Sequence, residues 1–451
     1  MKLKDPFLWL RALWDHGRVP RGTRAQLEAR QLRKFRCLVA HVQEHSPYYR
    51  AIIADRGIDP ATCVPTDFPV LTKQDVARHF DDIVTDRRIT RARIIDFLAQ
   101  SSDGGNLFDG KYHVMNTSGS SGELGCFVFS HEAWISAASL GVRVAPLRWR
   151  QRVAYVGVAH GHSGGVNLAQ SGNQGANRLF YNIRTYDVLQ PMDEVIDDLN
   201  AFQPRVVTAY ANMLKTLAEF QEQGRLRIRP QRIASGAEAL LPDARAYVER
   251  VFQMPVTNLY ASTEHLYMGI TLPGSDGMHL MEDDLIFELN EDHTCVTNLF
   301  NDAMPLIRYR MSDVLTPDRG PRQDRYPFTK VTALVGRQEH NLVFINQHGG
   351  EDFIHPAVIA EMLVPGLKAW QVVLESLEAF RFRACFEHGI TEQRRQAVCD
   401  QVSDILRHVL DGKDMRNVRF EIECVDSLPA DPQTGKFRLV LKTPHDASKA
   451  V

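Results

Sequence analysis

No cysteine of this chain stands in a C-x-x-C pair, and the seven present are scattered at positions 37, 63, 126, 295, 385, 399 and 424. An odd number at such spacing argues against a zinc ribbon and against a disulfide framework. It fits a reducing compartment, the cytoplasm. Charge of one sign is also lacking: 53 Lys and Arg stand against 55 Asp and Glu, a net charge of -2. Bulk electrostatics therefore speak against a dedicated nucleic-acid binder, although a charged cleft stays open. No apolar run approaches the roughly 20 residues of a membrane span. The run Phe7-Leu8-Trp9-Leu10 is broken by Arg11, Asp15 and Arg18 and does not read as a signal peptide. Phe7, Leu10 and Trp14 fall on one helical face, read as the face that docks an N-terminal helix on the core. Repeats and low-complexity tracts are missing too.

What is present is 451 residues, 44% of them hydrophobic. That suits two or three folded units at roughly 150 residues each. Residues 23–56 carry helical spacing through Leu27, Leu32, Phe35, Leu38, Val39 and Val42, interrupted at Ser46-Pro47. From about 111, short β-prone runs (112–115, 126–129, 153–158, 206–209, 232–234, 256–260) alternate with helical stretches at 191–203 and 211–224. This predicts α/β layering around a largely buried sheet. Residues 279–316 read as strands without helices between them, a distorted barrel or an antiparallel sheet. A smaller α+β pattern follows Gly336-Arg337, with a helix near 356–363, strands near 369–375, 380–386 and 418–425, and a helix at 391–410. The expected domains are 1–336 and 337–451.

The stretch from Asn116 to Gly125, with Thr117, Ser118, Gly119, Ser120, Ser121 and Gly122, packs four hydroxyls and three glycines into nine residues. Glycines let backbone N–H groups approach a ligand and hydroxyls add donors, so the loop suits an anion such as phosphate. It has no GK[ST] and joins two strands, so it is not a Walker loop. Further on come Ser235-Gly236-Ala237-Glu238, then Tyr260-Ala261-Ser262-Thr263-Glu264, then Arg308-Tyr309-Arg310-Met311-Ser312-Asp313. Gly336-Arg337-Gln338-Glu339 and Pro432-Gln433-Thr434-Gly435-Lys436 complete the set.

In this order and at these separations the motifs resemble the adenylate-forming superfamily of acyl-CoA synthetases and peptide-synthetase adenylation domains. The nearest likeness is to its phenylacetate–CoA ligase branch with the capsule-biosynthesis-type relatives. Ser46-Pro47-Tyr48-Tyr49-Arg50 and Leu71-Thr72-Lys73 look like that branch too, and the resemblance spans about 30 to 445. It implies a large N-terminal domain of layered α/β sheets with a distorted barrel, and a smaller mobile C-terminal lid. It also implies a two-step reaction. A carboxylic acid and ATP give an acyl-adenylate and pyrophosphate; a thiol, most simply CoA, then displaces AMP. A separate acyl carrier protein or an amine is the alternative acceptor. ATP, Mg²⁺ and CoA are the implied cofactors, and a homodimer is left open.

By the same resemblance, Thr117 to Gly122 cradle the β- and γ-phosphates. Glu123 stands where many relatives carry lysine, and is expected to point away from them. Gly236, Ala237 and Glu238 flank adenine, Tyr260 stacks on it, Ser262 belongs to the nucleotide set and Thr263 contacts the α-phosphate. Glu264 would ligate Mg²⁺, a hard cation suited to carboxylate oxygen. Asp313 would accept both ribose hydroxyls, though Met311-Ser312 replaces the usual Thr-Gly before it. Arg337 would reach the nucleotide, with Arg308 or Arg310 in support or in structural pairs. Lys436 is the expected catalytic lysine and Glu339 the hinge, with Gly349-Gly350 lining the thiol channel.

The acid pocket is expected around His162, Gly164, Tyr210 and Ala261, with Trp134 a weaker candidate. His160 and His162 also form an H-x-H pair. Gly161-His162-Ser163-Gly164-Gly165 matches the G-x-S-x-G nucleophile elbow of serine hydrolases. The elbow needs a helix straight after its serine, and the residues after Ser163 read as a loop.

Overall fold

Thr23 opens the long helix Arg24–His45 with a reciprocal cap: its hydroxyl accepts from Gln26 N–H and the Gln26 side chain accepts from Thr23 N–H. Leu27, Phe35, Leu38, Val39 and Val42 form its buried stripe. Ser46 then caps a second helix, Pro47–Arg56, with proline at the first turn, where its missing N–H costs nothing. Gly57, at φ +62°, ends that helix in the left-handed region. The computed structural model describes residues 5–101, 104–116, 125–159, 161–173, 175–238, 240–275, 277–311, 313–320, 326–335, 342–354, 358–359, 362, 364–387, 389–428 and 439–442. By contacts the chain divides into two units. The first comprises Met1–Asn116, Cys126–Thr185 and Phe202–Arg337; the second comprises Thr117–Gly125, Tyr186–Ala201 and Gln338–Val451.

In the first unit a nine-stranded sheet runs in the order Val314–Pro317, Lys330–Val335, Met278–Leu280, Leu266–Thr271, Val256–Ser262, Arg232–Gly236, Val206–Tyr210, Gln151–Gly157 and Tyr181–Asp187. Strands 151–157, 206–210, 232–236 and 256–262 pair in parallel. From 256–262 onward the pairing is antiparallel. The parallel strands are those whose β-prone runs alternate with helices in sequence, as crossovers require. The barrel-like stretch takes the form of a three-stranded antiparallel sheet, Leu285–Leu289, Thr294–Asn298 and Tyr309–Met311. His113–Asn116 and Cys126–Phe129 make a hairpin, with Asn116 opposite Cys126.

The N-terminal helix Asp5–Arg18 docks differently from the sequence expectation. Leu10 and Trp14 are 65% and 66% exposed, and the residue that enters the core is His16. Its ring bridges Ser139 Oγ (2.7 Å) and Asp284 Oδ2 (3.3 Å), while its carbonyl accepts from Arg143 (3.1 Å). Arg143 also forks onto Asp283 at 2.8 and 2.7 Å. Asp284, 3% exposed, further holds Lys34, Arg30 and the Ser136 hydroxyl. A face of Leu10 and Trp14 looked like a docking stripe in the sequence. The anchor observed is polar instead, with His16, Arg143, Asp283 and Asp284 all partnered.

In the second unit a four-stranded sheet runs Arg419–Cys424, Ala379–Phe386, Leu367–Ser376, Val440–Lys442. Its face carries Val372, Phe380 and Phe382, and the amphipathic helix Glu392–Asp411, capped by Thr391, buries Val398, Val402 and Leu406. Lys413, 1% exposed, is held by Asp352 (3.5 Å) and the Gln190 carbonyl (3.0 Å). Hairpin Leu342–Ile345/Glu351–Ile354 turns on Asn346, whose Oδ1 accepts from His348 and Gly350 N–H, and Gly349 sits at φ +80°. That turn accounts for Gly349-Gly350 locally. Most of the helix expected near 356–363 lies outside the described residues. Among the described residues no helix is long and apolar enough to cross a membrane.

Burial alone would raise the Asp284 pKa, but Lys34 and His16 overrule it and hold the carboxyl far below its ordinary value of 3.8. A depressed carboxylate stabilises the fold above that value and loses its contribution as pH falls below it. Asp284→Asn should therefore cost about 3–5 kcal/mol at pH 7 by denaturant unfolding, the scale of breaking a buried ion cluster. The gap to wild type should shrink as pH drops below about 4; a gap independent of pH would contradict this account.

Candidate active site

Four parallel strands end at one edge of the sheet, the edge at which open α/β sheets bind ligands. There stand Tyr210, Gly236 and the segment Tyr260 to Ser262. Immediately beyond Gly236, Ala237 is exposed and adopts φ +65°, a conformation that disfavours a residue with a Cβ. The next residue fixes it there. The Glu238 carboxylate accepts from Asn212 N–H (3.0 Å) and Asn212 Nδ2 (3.4 Å), capping the helix Ala211–Glu222 that starts after Tyr210. Glu238 thus acts as a brace with its side chain, while Gly236 and Ala237 present backbone.

Tyr260, 5% exposed, donates its hydroxyl to Asp313 Oδ2 at 2.9 Å. This fixes the Asp313 carboxylate and engages only one of its two oxygens by that bond. Burial, then the Asp313 charge, push the Tyr260 pKa far up, so the phenol stays a donor. The strand then turns through Ser262-Thr263-Glu264-His265, where Ser262 Oγ accepts from His265 N–H (3.2 Å). Glu264 is half-buried and lies 3.5 Å from the Tyr309 hydroxyl. Burial raises its pKa; its own N–H, the Ser262 hydroxyl and the Lys73 charge offset that only in part. The carboxylate is thus under-compensated, the state in which an added cation is stabilising. Leu266, closing this turn, also has positive φ (+59°), as does Arg308 (+53°) ahead of Tyr309. Three strained residues thus lie in or beside the three motifs, as strain does at functional sites.

Lys73 and Tyr309 are residues for which sequence reading gave no role. Their placement has a local cause. Leu71 bridges Tyr309 as a short parallel pair, with Leu71 N–H donating to Arg308 O (3.0 Å) and Arg310 N–H to Leu71 O (2.9 Å). Thr72 then caps the helix Lys73–Arg78 with Asp75 as reciprocal partner. Leu71-Thr72-Lys73 is therefore a pin that places a lysine where its charge acts on the Glu264 carboxylate. The signal was in the sequence as a motif, but its partner lies far along the chain. Arg308 itself is structural: it forks onto Glu288 (2.7–3.0 Å) and donates to Phe68 O (2.7 Å). Arg310 pairs with Asp292 at the surface (3.3 Å).

The expected acid-pocket residues divide. Tyr210 lies over Gly157, where an added Cβ would come within 2.7 Å of its ring, and Gly165 leaves room for the Tyr155 hydroxyl, 2.3 Å from such a Cβ. Gly164 faces Leu266, at 3.8 Å on the same measure, and Ala261 is exposed. These are grouped around the sheet edge. His162 is not free for a substrate: it is 4% exposed, with Nδ1 3.1 Å from Val114 O and Nε2 3.3 Å from the Ser101 hydroxyl. It ties two chain segments together and lies edge-on to Phe97. Trp134 is core, donating to Ser171 Oγ (2.7 Å) and stacked on His113. His160 lies outside the described residues, among which no cluster of three His, Cys, Asp or Glu could hold a metal.

One sequence argument fails outright. The residues after Ser163 are a helix, Gly164–Ser171, with Ser163 at its N-cap, and not a loop. Glycines suggested a loop; here they admit the Tyr155 side chain against the first helical turn. The elbow is still wanting for another reason. Ser163 has relaxed dihedrals (φ -74°, ψ 142°), is 8% exposed, and follows the end of its strand at Gly157 by six residues.

Thr117, Ser118, Gly119, Ser120, Ser121, Gly122, Arg337, Glu339 and Lys436 lie outside the described residues. The hairpin that carries the hydroxyl-rich loop is described, and it brings Asn116 and Cys126 side by side.

No protein-family model matches the chain. Among curated proteins it is 23% identical over 329 residues to Protein CapK of Staphylococcus aureus, covering 68% of this chain and 67% of that protein. It is 25% identical over 323 residues to the phenylacetate-coenzyme A ligase of Thermus thermophilus, covering 64% and 66%. The matched region thus spans about two thirds of each relative. Among solved structures it resembles 2-hydroxyisobutyryl-CoA ligase with 2-HIB-AMP and CoA in the thioesterification state, with TM-score 0.60 and 18% identity over 94% of this chain and 91% of that one. A postadenylation structure of the same ligase gives TM-score 0.56, 17% identity and coverage of 95% and 92%. The fold is that of the adenylate-forming CoA ligases.

Two outcomes test the local physics. Ala237→Gly should leave stability unchanged or raise it, while Ala237→Val should lower it by roughly 1–2 kcal/mol, because a β-branched side chain fits positive φ worst. Equal thermal midpoints for the two variants would reject the strain. His265 is fully buried, with no hydrogen-bond partner on either ring nitrogen among the described residues, and burial lowers its pKa to about 3. The unfolded chain takes up that proton near 6.5, so stability is whole above 6.5 and falls as pH drops toward 3, by up to about 1.4 kcal/mol per pH unit. His265→Gln should flatten the slope of unfolding midpoint against pH in that window.

Proposed function

We propose that this chain, a homologue of CapK and phenylacetate-CoA ligase with the adenylate-forming fold, is an AMP-forming acid–thiol ligase. It activates a carboxylic acid with ATP and passes the acyl group to CoA. The observation that carries this reading is the convergence of Tyr260, Asp313, Glu264, Tyr309 and Lys73 beside the carboxyl ends of the parallel strands. These are the groups a nucleotide triphosphate and its cation need: a flat buried ring, a fixed carboxylate for hydroxyls, an under-compensated carboxylate and a cationic side chain.

The residues fit Mg²⁺. A half-buried carboxylate with a raised pKa suits a hard cation that keeps most of its shell as water and phosphate oxygen. Glu264 would hold it. When bound, the ion neutralises charge on the phosphates.

The residues of the chain do the rest. Tyr260 holds Asp313 so that its other oxygen meets the ribose hydroxyls, and Gly236 and Ala237 border the base. Thr117 to Gly122 offer N–H and hydroxyl donors to the β- and γ-phosphates. Lys436 supplies positive charge at the α-phosphate as the substrate carboxylate attacks phosphorus and pyrophosphate leaves, and Arg337 and Thr263 assist there. The thiol then attacks the acyl carbonyl, losing its proton, and AMP departs with the bonding pair. The acid sits toward Tyr210, Gly164 and Ala261. A cytoplasmic location, where ATP and reduced thiols are present, belongs to the same reading.

The test is acid-dependent pyrophosphate release with ATP and Mg²⁺ over a panel of aryl, fatty and hydroxy acids, with and without CoA. Lys436→Ala should lower the rate about 10²–10³-fold, the worth of one oxyanion donor. Tyr260→Phe should raise the KM for ATP several-fold with a smaller change in kcat, since it frees Asp313 without removing it. Ser163→Ala should keep full activity. Pyrophosphate release that ignores Lys436, or ATP-independent ester cleavage lost in Ser163→Ala, would overturn the proposal. Product formed only with a carrier-protein thiol would correct the acceptor.

A further inference from the structure

The edge of the sheet opposite the candidate site has a surface of its own. Four segments meet there: 146–152, 177–180, 203–205 and 224–232. Backbone bonds stitch them together: Arg150 N–H to Leu179 O (3.0 Å), Gln151 N–H to Phe180 O (2.7 Å), Arg205 N–H to Arg152 O (2.9 Å) and Gln231 N–H to Arg205 O (2.7 Å). Side chains add to this, Arg148 to Gln231 Oε1 (3.3 Å), Arg152 to Gln203 O (2.8 Å) and Gln203 to Arg227 O (3.0 Å). The four segments hold nine arginines and not one aspartate or glutamate. In 225–230 the pattern alternates: Arg225, Arg227 and Arg229 are exposed, while Leu226, Ile228 and Pro230 are buried. On a chain of net charge -2 this is a strong local excess.

Among the arginines stand large apolar side chains in water. Trp149 is 71% exposed, Leu179 50%, Leu147 40% and Phe180 37%. They sit in the connections that lead into strands 151–157 and 181–187, in the sequences Leu147-Arg148-Trp149-Arg150 and Arg178-Leu179-Phe180. Apolar and cationic groups alternate at loop tips.

We propose that this edge docks on a membrane surface bearing anionic phospholipid headgroups. Arginine forks pair with lipid phosphates, and Trp149, Leu147, Leu179 and Phe180 enter the headgroup–acyl boundary, where an aromatic ring with an apolar body and polar edge is most stable. Charge complementarity selects the anionic surface. The interleaving of rings with guanidinium groups on projecting loops selects a bilayer over a folded acidic protein, which would be met by a groove or a flat patch. This docking leaves the carboxyl-end edge facing away from the bilayer, and it does not depend on which acid is activated.

The experiment uses the full chain with vesicles of phosphatidylcholine mixed with phosphatidylglycerol, against vesicles of phosphatidylcholine alone. The readouts are co-sedimentation and tryptophan emission. The expected result is partition into the anionic vesicles only, weakened by salt and accompanied by a blue shift. Arg148→Glu/Arg150→Glu/Arg178→Glu should reduce partition at least about tenfold, since each basic residue near such a surface is worth several-fold. Trp149→Ser should reduce it several-fold and remove most of the blue shift. Thermal midpoint and pyrophosphate release should be unchanged in both, which separates this result from failure of the ligase reading. Equal partition into both vesicle types, no partition at low salt, or variants that bind like wild type would overturn the proposal. So would binding to heparin as tight as to vesicles with no emission change, which would mark a face for soluble polyanions.

Discussion

Parallel strands cannot be joined by tight turns. Each must return over the sheet through a crossover, so every carboxyl end emerges at one edge and every amino end at the other. Strands 151–157, 206–210, 232–236 and 256–262 obey this constraint, and most of what distinguishes the molecule follows from it. One edge gathers Tyr210, the Gly236 turn and the Tyr260 to Glu264 turn from stretches far apart in sequence. The other gathers the entry loops, where arginines and exposed rings accumulate. The two faces of chemistry are set apart by the length of a strand, so each can change without disturbing the other.

At the carboxyl edge the recurring device is a strained residue held by a polar neighbour. Ala237 is held by Glu238 on Asn212. Leu266 closes a turn fixed by Ser262 on His265 N–H, and Arg308 is held by its fork onto Glu288. Such positions cost on the order of 1–3 kcal/mol each, and they persist where the surroundings over-determine them. Glu264 and His265 lie in the turn that Leu266 closes, the one half-buried and the other fully buried.

The layered α/β order was legible because β-prone runs and helices alternate, and Ser46-Pro47 marked its helix break correctly. Three strands of the second unit's sheet and its long helix were likewise readable, while the short strand Val440–Lys442 was not. The antiparallel half was not: Leu266–Thr271 and Met278–Leu280 pair with the strands just before them but are short, and Lys330–Val335 reaches back to Met278–Leu280 across about fifty residues. Order and spacing of motifs carried Tyr260, Glu264 and Asp313 to one place. Lys73 and Tyr309 stayed silent because the Leu71–Tyr309 bridge that brings their segments together spans more than two hundred residues. His162 and the segment after Ser163 misled for opposite reasons. A histidine beside glycines looked like a pocket residue but satisfies backbone, and glycines that looked like a loop make room for a tyrosine.

The His16–Asp284 contact spans 268 residues. Synthesis adds roughly 5–20 residues per second, so His16 can meet Ser139 and Arg143 within about half a minute of emerging but waits on the order of ten seconds to a minute for Asp284. Through that interval the side of His16 that faces Asp284 has no carboxylate partner, whereas Leu10 and Trp14 are largely in water even in the folded chain. The anchor of the helix Asp5–Arg18 is thus completed in two stages, first by Ser139 and Arg143 and last by Asp284.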